Sequence, residues 1–347
     1  MKIAIDISPF QTGHRVRGVG FYLENLRNTL LKYFPDNNYV FFQRGEKLPK
    51  DVQIVHFPYF EPFFLALPIY RKFKTVVTVH DLTPIVFPEA FPRGIKGEIK
   101  WQMQRFALKR ADAILTDSKF SKKDIQKYVG VRENKIHVVY LAAGEQFKQL
   151  KTGNWVSEVK KRYDLPDRFL LYVGDVTWNK NLPRLIDAVK KVKIPLVMVG
   201  KSLVSEDYDK NNPWNADLNR VNELASGDKN IIRLGFVSQE ELVQLYNLAT
   251  VFVMSSLYEG FGLPILEAMA CGCPVITSKE GSIPEVAGNS AFYVDAYDMG
   301  SVASGIRKVF DDQKLQEELS KKGLERVKSF SWKEVARETL SVYESII

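Results

Sequence analysis

Phe169-Leu170-Leu171-Tyr172-Val173-Gly174, followed by a helical pattern over Asn181–Val192, decides how this chain of 347 residues is organised. An unbroken apolar run with no polar alternation suits a strand covered on both faces, and the closing glycine permits a sharp turn. Towards the carboxyl end the same unit repeats, with strand runs at Pro195–Gly200, Ile231–Leu234, Val251–Met254, Pro274–Thr277 and Ala291–Val294 and helices between them. Towards the amino end an equivalent series occupies Lys2–Ile7, Tyr39–Gln43, Ile54–His56, Thr75–Val79, Ala113–Thr116 and Ile136–Val139, interleaved with helical stretches at Tyr22–Tyr33, Lys96–Arg110 and Lys119–Val129. Short strand runs alternating with helical stretches predict an α/β protein of parallel sheets. The polar stretch Ala142–Asp167, which carries no strand signal, separates two doubly wound units. Ligands of such sheets sit beyond the carboxyl ends of the strands, so a site shared by two units would lie in a cleft between them.

Composition sets the limits. Hydrophobic residues make up 45% and charged residues 26%, as in ordinary globular chains. The longest apolar run, Phe57–Tyr70, is interrupted by Glu61 and three prolines and falls short of a membrane span. The opening residues, Met1-Lys2-Ile3-Ala4-Ile5-Asp6, read as a strand and not as a secretory signal. Two cysteines, Cys271 and Cys273, cannot staple a fold of this size, so a reducing cytoplasm is the expected location. The net charge of +8 is lopsided: residues 1–150 hold 24 Lys and Arg against 14 Asp and Glu, whereas residues 151–347 hold 25 against 27. Such a basic half suits an anionic partner or a solvated basic surface. No nucleic-acid-binding signature accompanies it, so nucleic acid is not an expected partner. Two stretches, Phe60–Lys74 and Lys96–Arg110, mix lysine and arginine with Phe, Ile, Trp and Met. They read either as a core-facing helix with a solvated basic side or as a face for an anionic membrane.

The chemistry concentrates in Ser255-Ser256-Leu257-Tyr258-Glu259-Gly260-Phe261-Gly262-Leu263-Pro264-Ile265-Leu266-Glu267, which follows the strand Val251–Met254. Gly260 and Gly262 open a tight loop, Pro264 suits the first position of a helix, and Gly272 its left-handed exit. The amides of Gly262–Ile265 at that helix start would form an anion site fit for a diphosphate. Glu259 before the helix and Glu267 in its first turn would border the site and accept vicinal hydroxyls. The four histidines His14, His56, His80 and His137 are scattered, and neither an H-E-x-x-H nor a D-x-D cluster occurs, so no metal is expected. The loop Gln11–Gly20 carries Gly18 and Gly20, but Leu23 stands where a dinucleotide fingerprint needs its third glycine.

Glu259 and Glu267 within Glu-Gly-Phe-Gly-Leu-Pro-x-x-Glu-Ala-Met-Ala resemble the E-x7-E motif of family-4 retaining glycosyltransferases, enzymes of GT-B architecture that use nucleotide-sugar donors. Similar signals lie in the family's order at Arg17–Gly20, His80-Asp81-Leu82, Asp117–Ser121, Gly174–Asn181, Leu234–Val237, Gly281–Glu285 and Phe330-Ser331-Trp332. The resemblance implies two facing Rossmann-like domains: residues 1–150 on the acceptor side, 151–330 binding the donor, and a helix in 331–347 crossing back to the first. It assigns Glu267 to the donor's ribose and Glu259 and His80 to its sugar. Lys180, together with the amides of Phe261, Gly262 and Leu263, is assigned to the diphosphate, and Gly18, Gly20, Phe236 and Val237 to further donor contacts. Lys180, Glu259 and His80 are the residues expected at the reacting centre, with no cofactor beyond the donor.

Two departures stand out. Many members have arginine where this chain has Asn179, and others have arginine where it has Asp175; Arg184, one turn beyond Lys180, is a candidate substitute. The function implied is transfer of a hexose, mannose from GDP-mannose by the wording of the motif, to a glycan or lipid-linked glycan in polysaccharide biosynthesis. The enzyme would be cytoplasmic and peripheral at the inner face of the membrane. The alternatives are a UDP-sugar-dependent transferase, a GT-B-like epimerase and a non-catalytic nucleotide-sugar-binding protein.

Overall fold

The computed structural model describes residues 1–16, 18–69 and 71–347, with the side chains of His14 and Val16 left aside. Arg17 of the Arg17–Gly20 motif and Tyr70 at the end of the apolar run therefore lie outside the described residues.

All twelve expected strands form. In the first sheet they are β1 (Lys2–Asp6), β2 (Asn38–Phe42), β3 (Ile54–Phe57), β4 (Lys74–Thr78), β5 (Ala113–Thr116) and β6 (Ile136–Val138), in spatial order β2-β1-β3-β4-β5-β6. The second holds β7 (Leu170–Val173), β8 (Leu196–Val199), β9 (Ile231–Gly235), β10 (Val251–Met254), β11 (Val275–Ser278) and β12 (Phe292–Val294), in order β12-β11-β10-β7-β8-β9. Every pairing is parallel. The central strands are buried along their length, which is why they read as continuous apolar runs. Together the two parallel sheets make a two-domain GT-B fold.

Contacts divide the chain into one unit of Met1–Ala142 with Phe330–Ile347 and a second of Ala143–Ser329. The first division falls before residue 150 because the intervening segment packs on the second unit. Gln146 there donates to the Gln239 side chain (3.0 Å), the Leu150 amide to Asn247 (2.8 Å), and Phe147 packs edge-on against Tyr246. The terminal helix Trp332–Ser345 belongs to the first unit. Trp332 lies against Tyr22, and the Tyr343 hydroxyl meets His56 Nδ1 at 2.7 Å in the core. Burial pulls the His56 pKa down to about 3, so the ring is neutral.

Each sheet reverses its winding once, and a doubly wound fold opens its crevice at that point. In the second sheet the reversal lies between β7 and β10, which are neighbours although about 80 residues apart in sequence. The loops leaving these two strands are therefore forced together. The helix Leu182–Val192 packs Leu182, Leu185, Ile186 and Val189 onto this sheet without exposure and fixes the first loop from behind.

Candidate active site

Lys180 and Glu259 are the side chains that the second unit's reversal brings together. The Lys180 ammonium donates to both carboxylate oxygens of Glu259, each at 2.8 Å. The Glu259 side chain is only 8% exposed and the Lys180 side chain 21%. Three hydrogen bonds bind the two loops to each other, and a fourth ties the first of them to the segment after β12. Asn179 accepts from the Leu257 amide (2.7 Å) and donates through Nδ2 to Tyr258 O (3.0 Å). Asn181, in the left-handed region at φ 59°, donates to Ser255 O (3.0 Å) and to Ala296 O (2.8 Å).

From the other side, the Ser282 amide (3.2 Å) and hydroxyl (2.9 Å) both donate to Glu259 O, and the hydroxyl also reaches Phe261 O. Gly281, at φ +62°, lies so close that a Cβ would come within 2.7–2.8 Å of the Glu259 backbone oxygen and nitrogen. Only glycine fits there.

The departures from the family pattern acquire a physical account here. Asn179, where others have arginine, ties the loops together through its carboxamide and is buried. Asp175 accepts from the Ser202 hydroxyl at 3.1 Å and belongs to the turn after β7. Arg184 does not supply a spare cation: its Nη1 donates to Asn181 Oδ1 (2.6 Å) and Ala296 O (2.9 Å), bracing the same loop.

Glu267 lies on the helix Leu263–Ala270. Its first turn ends before Glu267, and Pro264 is the second residue, not the first, because Leu263 opens the helix from a left-handed Gly262. The anion site is correspondingly narrower than the sequence suggests. Pro264 has no N–H, and the Ile265 amide donates to Gly262 O at 3.0 Å. Among the described residues no acceptor takes the amides of Gly262 and Leu263. Burial pushes the Glu267 carboxyl up to about 7, partly offset by the Tyr246 hydroxyl that donates to it at 3.0 Å. Tyr246, on the helix Gln239–Leu248, has no motif to mark it in the sequence. Phe236 and Val237 follow β9 at the sheet's outer edge, Phe236 58% exposed and Val237 buried. Cys271 and Cys273 are free thiols, both buried.

In the first unit, His80 follows β4 and Asp117 follows β5, adjacent strands whose ends place His80 Nδ1 2.6 Å from Asp117 Oδ2. Ser118 caps the next helix, and the Ser121 hydroxyl donates to His80 O at 3.1 Å. Asp81 accepts from the Thr83 amide (2.8 Å) and so orders the turn. Burial disfavours a charged His80 ring, but the Asp117 charge and hydrogen bond outweigh it and raise the His80 pKa. The Pro58 carbonyl adds to the same upward shift, and the edge of Tyr22 flanks the ring at 4.8 Å. Gly18 and Gly20 are not in an open loop as expected. They form the first turn of the helix Gly18–Tyr33, Gly18 exposed with empty space where a Cβ would stand and Gly20 buried.

Among the described residues no cluster of three or more His, Cys, Asp or Glu is placed to hold a metal ion. No described helix is long and apolar enough to cross a membrane.

Profiles of two known protein families match the chain. The profile of "Glycosyltransferase Family 4" matches residues 7–142, and that of "Glycosyl transferases group 1" matches residues 154–326. The chain belongs to the family-4 glycosyltransferases. Among family relatives, the O-antigen chain mannosyltransferase B of Escherichia coli is 29% identical over 281 residues, covering 79% of this chain and 71% of that protein. The serotype-specific mannosyltransferase WbdA of Escherichia coli is 30% identical over 275 residues. That alignment covers 76% of this chain but spans only 32% of WbdA. Of solved structures, sucrose-phosphate synthase from Thermosynechococcus elongatus superposes with a TM-score of 0.78 at 20% identity, over 100% of this chain and 99% of that one. HepE from Anabaena in complex with UDP-glucose does so at 0.75 and 16%, over 99% and 100%. At such identities the structures speak for the fold.

Proposed function

We propose that this glycosyltransferase moves mannose from GDP-mannose to a hydroxyl of a glycan or lipid-linked glycan, retaining the anomeric configuration and needing no metal. The observation that carries it is the corner of the second unit where Lys180, Glu259 and the amides of Gly262 and Leu263 converge on one loop and helix start. A cation and helix-start amides suit a diphosphate, and two buried carboxylates suit sugar and ribose hydroxyls. The relatives that are mannosyltransferases favour mannose. A UDP-sugar is the second reading, favoured by the UDP-glucose held by HepE.

In the proposed reaction the bond from the sugar's anomeric carbon to the diphosphate oxygen breaks. The acceptor oxygen bonds to the same face of that carbon, and its proton passes to the departing phosphate. Lys180 stabilises the charge that builds on the leaving diphosphate, and Glu259 and Glu267 hold the donor's hydroxyls. Calorimetric titration with GDP and UDP in a chelator tests the donor assignment: tighter binding of UDP than of GDP would overturn it.

The acceptor side is proposed to meet an anionic membrane. On the helix Gly94–Lys109, Trp101, Gln104, Ala107 and Leu108 face the core, yet Ile95, Ile99 and Phe106 form a second, exposed stripe, Ile95 being 82% exposed. Gln104 Oε1 accepts from the amides of Ala66 and Leu67 (both 3.0 Å), and the Lys100 ammonium lies over the exposed Phe64 ring at 5.6 Å, which brings Phe64 to the same surface. Lys96, Lys100, Lys109 and Arg110 rim it, all exposed. Exposed apolar side chains among lysines suit an anionic bilayer better than water.

A further inference from the structure

We propose that Glu259 is an internal stand-in for the donor's diphosphate, neutralising Lys180 until an intact nucleotide-sugar displaces it. The inference rests on the reading of Lys180 as a diphosphate ligand. Both Glu259 carboxylate oxygens are committed to the Lys180 ammonium at 2.8 Å, and Lys180 is the partner that carboxylate has among the described residues.

The backbone on either side is held. Asn179 fixes Leu257 and Tyr258, Ser282 fixes the Glu259 and Phe261 carbonyls, and Gly281 leaves no room for the chain to shift. Exchange of partners is therefore a matter of side-chain rotation, with the loop in place. A diphosphate that takes Lys180 strands a carboxylate that is almost wholly buried, and a buried charge without a partner is strongly disfavoured. A free nucleoside diphosphate leaves that penalty standing. An intact donor brings the sugar's hydroxyls, which replace the ammonium as hydrogen-bond donors to Glu259. The pair thus makes the site prefer the substrate to the product that shares its nucleotide, and it favours product release once the sugar has left.

The experiment measures dissociation constants of GDP, GDP-mannose, UDP, UDP-glucose and inorganic diphosphate for wild type, Glu259→Gln, Glu259→Asp and Lys180→Ala. Unfolding midpoints of the four proteins are recorded alongside. Glu259→Gln keeps the shape but removes the competing charge. It is expected to bind nucleoside diphosphate and inorganic diphosphate at least threefold tighter than wild type, while its nucleotide-sugar binding does not tighten. The preference for the intact donor should therefore collapse. Glu259→Asp, which keeps the charge but shortens its reach, should fall between. Unchanged or weaker diphosphate binding by Glu259→Gln, in a protein whose Lys180→Ala variant loses diphosphate affinity, overturns the stand-in role alone. Undiminished diphosphate binding by Lys180→Ala overturns the underlying assignment of Lys180.

Discussion

Lys180 and Glu259, 79 residues apart in the chain, meet in a two-pronged ion pair because β7 and β10 are neighbours at the point where the second sheet reverses its winding. The pair sets the consequence of removing the cation. Lys180→Ala deletes the group proposed to steady the leaving diphosphate, and turnover should fall by about 100-fold or more. It also strands the Glu259 carboxylate, so the folded state should lose roughly 1–3 kcal/mol. In the double variant Lys180→Ala/Glu259→Gln the stability should return and the turnover should not. Recovery of both would assign the pair a purely structural role.

Glu267 gives the site a pH dependence of definite sign. Burial raises its pKa to about 7, above the ordinary carboxyl value near 4.5. The folded protein therefore holds this proton more tightly than the unfolded chain does. The group's contribution to stability is greatest below about pH 4.5 and declines as pH rises towards 7, by on the order of 3 kcal/mol in all. Glu267→Gln should flatten that part of the stability profile. Nucleotide binding should run the other way, because the ionised carboxylate is the form proposed to accept the ribose hydroxyls. Affinity should increase through neutral pH with release of a proton, seen as a buffer-dependent heat of binding.

Gly281→Ala should damage the site without touching any ligand. The added methyl would meet the Glu259 backbone, and alanine is strained at φ +62° besides. A loss of at least about 1–2 kcal/mol in unfolding free energy, with weaker donor binding, is expected. Wild-type denaturation and kinetics in this variant would mean that the loop is not held as described.

The exposed stripe on the helix Gly94–Lys109 predicts binding to vesicles rich in anionic lipid at low salt, weakened by added salt. Ile95→Ser with Ile99→Ser should reduce co-sedimentation several-fold and leave the unfolding midpoint unchanged, since both side chains already face outward. Equal sedimentation with neutral vesicles, or none with either kind, would remove the membrane from the account.

The sheets were legible because parallel strands buried on both faces spell continuous apolar runs; Thr75-Val76-Val77-Thr78-Val79 needs no tertiary information to be read as one. The Glu259–Glu267 motif was legible for the same local reason, a strand end, two glycines and a helix start within a dozen residues. Partners that come from another strand or helix were not. Tyr246 reaches Glu267 from the helix Gln239–Leu248, and no spacing in the sequence announces it. Asn179 looked like a lost cation, whereas its carboxamide bonds to the loop after β10. Gly18 and Gly20 suggested a loop because glycine is a poor helix former, and the helix nevertheless begins there. The pattern of the helix Gly94–Lys109 likewise did not show that it has two apolar faces, since periodicity does not reveal which one the core covers.

The central claim is mannose transfer from GDP-mannose, and the direct measurement is product formation. Protein, GDP-mannose and a mannose-terminated acceptor are incubated with excess chelator, in parallel with UDP-glucose, and the new linkage is read by proton NMR of the anomeric region. We predict an α-linked mannose from GDP-mannose, undiminished by chelator, at a rate at least tenfold above that of glucose transfer. Transfer from UDP-glucose alone, a β-linked product, or loss of activity in chelator would each contradict the account.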